Sequence, residues 1–205
     1  MAQPELDRLV EVMARLRVDC PWDAVQTHES LVHYLVEETC ETVEAIESGE
    51  GPDLREELGD LLLQVIFHAE IAAERAGGFD LEDVARGVAD KLVARHPYVF
   101  ADEKVPADLL DSWEQRKATE KGRTSVLEGI PERLSALARA HKIIGRARSG
   151  RVDLALATEP ISAAELGDQV LSLVARAQAS GLDPEQAARA AVRRLETRVR
   201  DAESA

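Results

Sequence analysis

The sequence predicts an all-α protein. Aromatic residues make up only 3% of the 205 positions, and Ala, Leu, Val, Glu and Arg dominate, so runs of alternating β-branched and aromatic residues are almost absent. Apolar residues recur instead at the three- and four-residue spacing of amphipathic helices. The breaks between these stretches fall at Gly and Pro and are followed by Ser, Thr or Asp, the residues that begin helices.

The first amphipathic stretch runs from about Pro4 to Arg17, with Leu6, Leu9, Val10, Met13 and Leu16 on one side, and stops before Cys20-Pro21. Asp23 with Gln26 resembles a capping box, and Thr27 offers a second cap for a helix that continues to Ser48 and ends at Gly49. Pro52 suits the first turn of a third helix, which the pattern extends to Gly77-Gly78. Asp80 can cap a fourth, ending at His96-Pro97 because the residue before proline avoids helical geometry. A short helix is expected from Pro106 to about Lys121 and another from Glu132 to Arg148. Two more are expected to start at Ser162 and at Asp183-Pro184.

Two acidic phrases carry the chemistry. Val36-Glu37-Glu38-Thr39-Cys40-Glu41 lies on the second helix, and Glu57-Leu58-Gly59-Asp60 on the third. In each, two carboxylates three residues apart project from adjacent turns of one face. Leu31, Leu35, Thr42 and Ala45 share the stripe of Glu38 and Glu41, while Leu54, Leu58, Leu61 and Val65 flank Glu57 and Asp60. That face is expected to be the buried one, which would aim four acids into a helix bundle. Each uncompensated buried ion costs several kcal/mol. No Lys or Arg stands at matching positions on either helix, and an all-oxygen ligand set favours a hard cation, Mg²⁺ or Mn²⁺. The same pattern is also met by acids that reach solvent at the edge of a bundle. Glu37 adjoins the cluster as a further ligand or a base, or faces solvent, since neighbouring helical positions diverge by about 100°.

The formal net charge of −14 argues against a nucleic-acid polymer, which requires a basic surface able to release counterions. A small phosphorylated substrate is compatible with it, given bound metal and a few local basic residues. The longest apolar stretch, Leu61 to Phe67, is short and interrupted by Gln64, so no membrane span is expected. Cys20 and Cys40, without an export signal, are expected to be reduced thiols of a cytoplasmic protein.

Basic residues supply the complement. Lys91 and Arg95 lie four apart and share a helical face, either as a phosphate clamp or as an ordinary solvated pair; Trp113 and Lys117 repeat that spacing. Trp113 on its own suits a hydrophobic edge as well as a base-stacking platform. The second half also echoes the first. Glu57-Leu58-Gly59-Asp60 recurs as Glu165-Leu166-Gly167-Asp168, and Arg194 and Arg198 align with Lys91 and Arg95. No counterpart of the first acidic phrase stands between Arg148 and Glu165, and Ser162 with Glu165 forms a capping box, a structural reason for Glu165. We read residues 126–205 as a partly deleted second repeat behind a catalytic module of residues 1–125.

The full set of phrases resembles the MazG branch of the all-α nucleoside triphosphate pyrophosphohydrolases. The resemblance rests on Glu37-Glu38-x-x-Glu41 with Glu57-x-x-Asp60, on Cys20-Pro21-Trp22-Asp23 and Gln26-Thr27, and on Asp90-Lys91-Leu92, Arg95-His96-Pro97 and Trp113-Glu114-x-x-Lys117. It implies a helical bundle of that type in which Glu38, Glu41, Glu57 and Asp60 bind Mg²⁺. It further implies that Glu37 adjoins the site, that Lys91, Arg95 and Lys117 contact the triphosphate, and that Trp113 lies near the nucleotide; Glu37 and Glu38 are the candidate catalytic carboxylates, with Glu37 open as base or ligand. The implied reaction converts a nucleoside or deoxynucleoside triphosphate to the monophosphate and pyrophosphate, with cleansing of the nucleotide pool as one purpose and a homodimer as the assembly. The competing reading is a non-catalytic helical module that keeps the scaffold for oligomerisation or regulation. A di-iron carboxylate bundle fits less well, because Glu-x-x-His pairs are absent from both acidic helices.

Overall fold

The computed structural model describes residues 4–49 and 51–204, and among them every regular element is helical. The helices are α1 (Pro4–Asp19), α2 (Val32–Ser48), α3 (Pro52–Ala73), α4 (Leu81–Arg95), α5 (Pro97–Phe100), α6 (Leu109–Glu120), α7 (Ala136–Ser149), α8 (Ala163–Ala179) and α9 (Pro184–Glu203). The chain divides into two compact units, Met1–Ala94 and Arg95–Ala205. This cut differs from the repeat boundary read after residue 125 because compactness follows the packing of α6 on α7, whereas the repeat is read from motifs.

In the first unit, Met13, Leu31, Ile66, Phe67 and Ile71 form a buried core joining α1, the entry to α2, and α3. His28, just before α2, touches His68 late in α3, while Glu38 and Glu41 in mid-α2 lie beside Glu57 early in α3. The two helices therefore run antiparallel. Arg17 closes the loop between α1 and α2: its side chain, 8% exposed, donates to both carboxylate oxygens of Glu74 at 2.7 and 2.8 Å and to the backbone carbonyls of Asp23 and Gln26. Trp22 sits edge-on to Tyr34 and Phe67.

Helix ends depart from the sequence reading where side chains found other partners. Asp23 and Gln26 do not cap α2; Asp23–Val25 is a turn of 3₁₀ helix. Thr27 and Ser30 bond each other's backbone and the Leu31 N–H reaches the Thr27 carbonyl at 3.2 Å, a capped turn that leads into α2 at Val32. The third helix stops at Ala73 rather than at the glycine pair, because Gly78 folds back so tightly that a Cβ there would lie 1.9 Å from the Ala72 carbonyl oxygen. Asp80 accepts from the Asp83 N–H ahead of α4 as expected. In the second half, Ser135 caps α7, which therefore begins after the expected Glu132, and Ser162 and Asp183 cap α8 and α9.

The second unit is built on α7 against α9. Ile130, Ala136, Ile143, Val192 and Val199 make its core, and Arg139 pairs with the nearly buried Glu196 at 2.7 Å. Helix α8 buries no residue.

Candidate functional site

Helices α2 and α3 bring the acidic phrases together. Carboxylate oxygens of Glu38, Glu41 and Glu57 all lie within 4.8 Å of one another. Asp60 stands outside this tightest group, yet its charge acts on both Glu38 and Glu57. The expectation that the acidic face is the buried one is corrected toward its alternative, acids that reach solvent at the edge: Glu38, Glu57 and Asp60 are half-buried, and Glu41 and Glu37 are exposed. Leu35, Leu58 and Val65, read as flanking the acids on a buried stripe, are 39%, 51% and 43% exposed. The physical reason is that α2 and α3 bury only the face toward each other and α1, which is filled by Leu31, Thr42, Ala45, Ile66 and Phe67.

Electrostatics fit a cation. The Glu38 carboxyl is raised above the ordinary range by desolvation and then by the charges of Asp60, Glu41, Glu57 and Glu37. Glu57 is raised by desolvation and then by Glu41, Asp60, Glu56 and Asp53. None of these leading influences comes from a positive group, so the cluster is repulsive as it stands. Three oxygen donors at this spacing match the ligand chemistry of Mg²⁺ or Mn²⁺, and among the described residues no thiolate or imidazole joins them.

The basic residues gather partly. In the second unit, the Arg95 guanidinium lies 5.5 Å from the Trp113 ring centroid and Lys117 Nζ lies 4.5 Å from it, a cation–π grouping around one indole. Lys91 is exposed one turn before Arg95 on α4. Sequence reasoning assigned no acid partner to these cations. Arg95 binds both oxygens of Glu120 at 2.8 and 3.0 Å, and Lys117 faces Glu114 at 3.8 Å. The Lys117 ammonium is lowered chiefly by burial, with Glu114 opposing. The Glu114–Lys117 pair was legible as an i, i+3 spacing; the Arg95–Glu120 pair, 25 residues apart, left no such signal.

A family model described as the MazG nucleotide pyrophosphohydrolase domain matches residues 26–100, which hold both acidic phrases, Lys91 and Arg95. A nucleoside triphosphate pyrophosphohydrolase/pyrophosphatase MazG of Thermotoga maritima is 39% identical over 219 aligned residues, covering 96% of this chain and 85% of that protein.

The chain belongs to the MazG family.

Among further relatives, a Streptomyces cacaoi protein described as an uncharacterized 26.1 kDa protein is 47% identical over 199 residues, 95% of this chain and 81% of its own. The nucleoside triphosphate pyrophosphohydrolase of Escherichia coli K12 is 46% identical over 147 residues, which are 68% of this chain and 56% of that protein. The chain thus spans only about half the length of that relative. In the second half of this MazG chain, the Ser162 hydroxyl accepts from the Glu165 N–H at 3.2 Å and Glu165 accepts from Gln169 at 3.1 Å. Glu165 and Asp168 are both exposed. These are the contacts of a helix start.

Proposed function

We propose that this MazG-family enzyme hydrolyses nucleoside or deoxynucleoside triphosphates to the monophosphate and pyrophosphate with Mg²⁺, in the service of a clean nucleotide pool. The observation that carries the reading is the convergence of Glu38, Glu41 and Glu57 within 4.8 Å, with Asp60 close enough to raise two of them. Glu38, Glu41, Glu57 and Asp60 are the proposed ligands. A bound Mg²⁺ supplies neutralisation of the phosphate chain and a water of lowered pKa.

This chain's own residues do the rest. Glu38 is the first carboxylate assigned to the attacking water: as a ligand it stands beside any water on the same ion, within reach of its proton. Glu37 precedes it on the exposed side of α2 and is the second carboxylate assigned to the attacking water. Lys91, Arg95 and Lys117 are the proposed triphosphate contacts, with Arg95 offering a planar fork and the lysines mobile point charges. Arg95 must exchange Glu120 for phosphate oxygens to act in this way. Trp113, flanked by Arg95 and Lys117, offers an apolar face to the nucleotide. We further assign a homodimer, supported by the exposed apolar side chains of α2 and α3.

Replacement of Glu41 by Gln keeps the side-chain shape and removes one ligand charge. We expect at least a hundredfold loss of Mg²⁺-dependent pyrophosphate release across a panel of canonical and oxidised nucleotides, with the helical circular dichroism spectrum unchanged. A folded, fully active variant would sink the assignment.

A further inference from the structure

We infer that the Arg95–Ala205 unit carries a second anion site, in which Arg123 and Arg146 bind the phosphoryl group of a small phosphorylated molecule. The site is a cavity of about 530 Å³ with Glu114, Arg123 and Arg146 among its polar lining and Ala118, Val126 and Val152 among its apolar lining. That volume falls within the range of small-molecule sites.

Arg123 and Arg146 have side chains only 7% and 6% exposed. Glu114 is the acid between them, with Oε2 3.6 Å from Arg123 Nη1 and 3.6 Å from Arg146 Nε, and with Oε1 3.8 Å from Lys117 Nζ. All three separations exceed hydrogen-bonding distance. One carboxylate thus faces three cations without hydrogen-bonding any of them. Burying cations in such excess is costly unless a further anion joins them. Arg146 spends Nη1 on the carbonyls of Val126 and Glu128 at 3.2 and 2.7 Å, while its Nε is fully buried with no hydrogen-bond partner among the described residues.

The remaining charged residues of the lining do not fill this deficit. Arg151 and Asp153 are exposed and opposite in sign, and Glu203 accepts from the Val126 N–H at 2.8 Å. Two guanidinium forks at one carboxylate suit a tetrahedral, doubly charged oxyanion, which offers each fork its own pair of oxygens. The cavity exceeds the volume of phosphate alone, so the rest of the molecule would lie against the apolar lining. Local geometry fixes Arg123 in place. Gly122, at φ +57°, ends α6 with its N–H on the Thr119 carbonyl, and the Arg123 N–H reaches the Ala118 carbonyl, the two bonds of a Schellman cap. Lys117 is the one group shared with the proposed triphosphate contacts; the acidic cluster of α2 and α3 plays no part.

Calorimetry on the full chain in EDTA, with orthophosphate, pyrophosphate and nucleoside 5′-monophosphates as separate probes, tests the site. We expect saturable binding of at least one probe at submillimolar concentration. Equal affinity for inorganic and nucleoside phosphates would mean that the phosphoryl group alone is recognised; tenfold tighter binding of the monophosphates would show that the lining contacts the nucleoside. Both outcomes support the site only if Arg123→Gln weakens binding at least tenfold while Glu41→Gln and Arg95→Gln leave it unchanged. Glu114→Gln removes the competing anion and is expected to tighten binding severalfold, a change that a merely structural glutamate would not give. Arg146→Gln also strips hydrogen bonds from the 126–128 loop, so Arg123→Gln is the deciding variant. Absence of saturable binding by every probe, or binding indifferent to Arg123→Gln, overturns the inference. Loss of binding in Arg95→Gln would instead locate it at the proposed triphosphate contacts and overturn it equally.

Discussion

Two carboxylates of the first unit respond to pH in opposite directions, and each direction follows from its neighbours. Glu38 is raised by desolvation and by four nearby acids, so the metal-free folded chain holds that proton more tightly than the unfolded chain does. Its contribution therefore turns unfavourable as pH climbs from the unfolded carboxylate pKa, about 4.3, through the raised folded value. A divalent ion reverses this by replacing the proton. Thermal melts in EDTA and in Mg²⁺ should diverge with rising pH over that interval, Mg²⁺ giving the higher Tm, and Glu38→Gln should shrink the divergence; parallel melts would contradict the metal reading. Glu74 behaves the other way. The hydrogen bonds from Arg17 lead in lowering its carboxyl, so its contribution is complete above the unfolded pKa and is lost as pH falls through the depressed folded value. Because Glu74 is half exposed, solvent screens the pair, and Glu74→Gln should cost about 1 kcal/mol at neutral pH. Chemical denaturation should show that cost vanish in acid. A cost that persists there would mean that packing rather than charge sustains the contact.

At the scale of elements, helix ends decide where functional side chains stand. Gly122 adopts φ +57° at the end of α6, a conformation that an L side chain enters only at a cost. Nothing lies within 4 Å of a Cβ built there, so Gly122→Ala should destabilise by about 1 kcal/mol through backbone strain alone, seen as a lower midpoint in urea with an unchanged slope. A neutral substitution would show that the cap tolerates a side chain. The helices themselves were legible in the sequence because their apolar spacing and caps are local: Asp80, Ser162 and Asp183 stand where capping places them. The start of α2 was not legible. Asp23 and Gln26 carry the letters of a capping box, yet Arg17 takes both of their backbone carbonyls, a contact that a local pattern does not encode. The acidic site divides in the same way. Spacing within each helix placed Glu38 beside Glu41, and the short link between Ser48 and Pro52 returned α3 along α2, bringing Glu57 to them. How deeply the acids sink depends on what covers the helices, which helical spacing does not encode, so Glu41, Leu58 and Val65 stand more exposed than their stripe implies.

For the whole molecule, that same exposure is the property to explain. Leu58, Leu62 and Val65 are 51%, 39% and 43% exposed, and Val36, Val43 and Ile46 on α2 are 59%, 47% and 58% exposed. On α3 the positions recur at i, i+4 and i+7, so they share one helical face. Single exposed apolar residues are ordinary, but rows of them along paired helices mark a surface that gains from being covered. A second copy is the occupant we propose, since a twofold axis lets one α2–α3 pair cover the same pair of its partner and complete a four-helix bundle. The net charge of −14 opposes association, so the apolar contact must outweigh that repulsion, and the dimer should tighten as salt screens it. Light scattering coupled to size exclusion should give a mass of twice 22.4 kDa. Leu62→Glu, which sets a carboxylate on the covered face while α3 remains helical, should return the mass to that of one chain. A wild-type protein that runs as a monomer at every salt concentration would remove the dimer, and the exposed rows on α2 and α3 would then need a different partner.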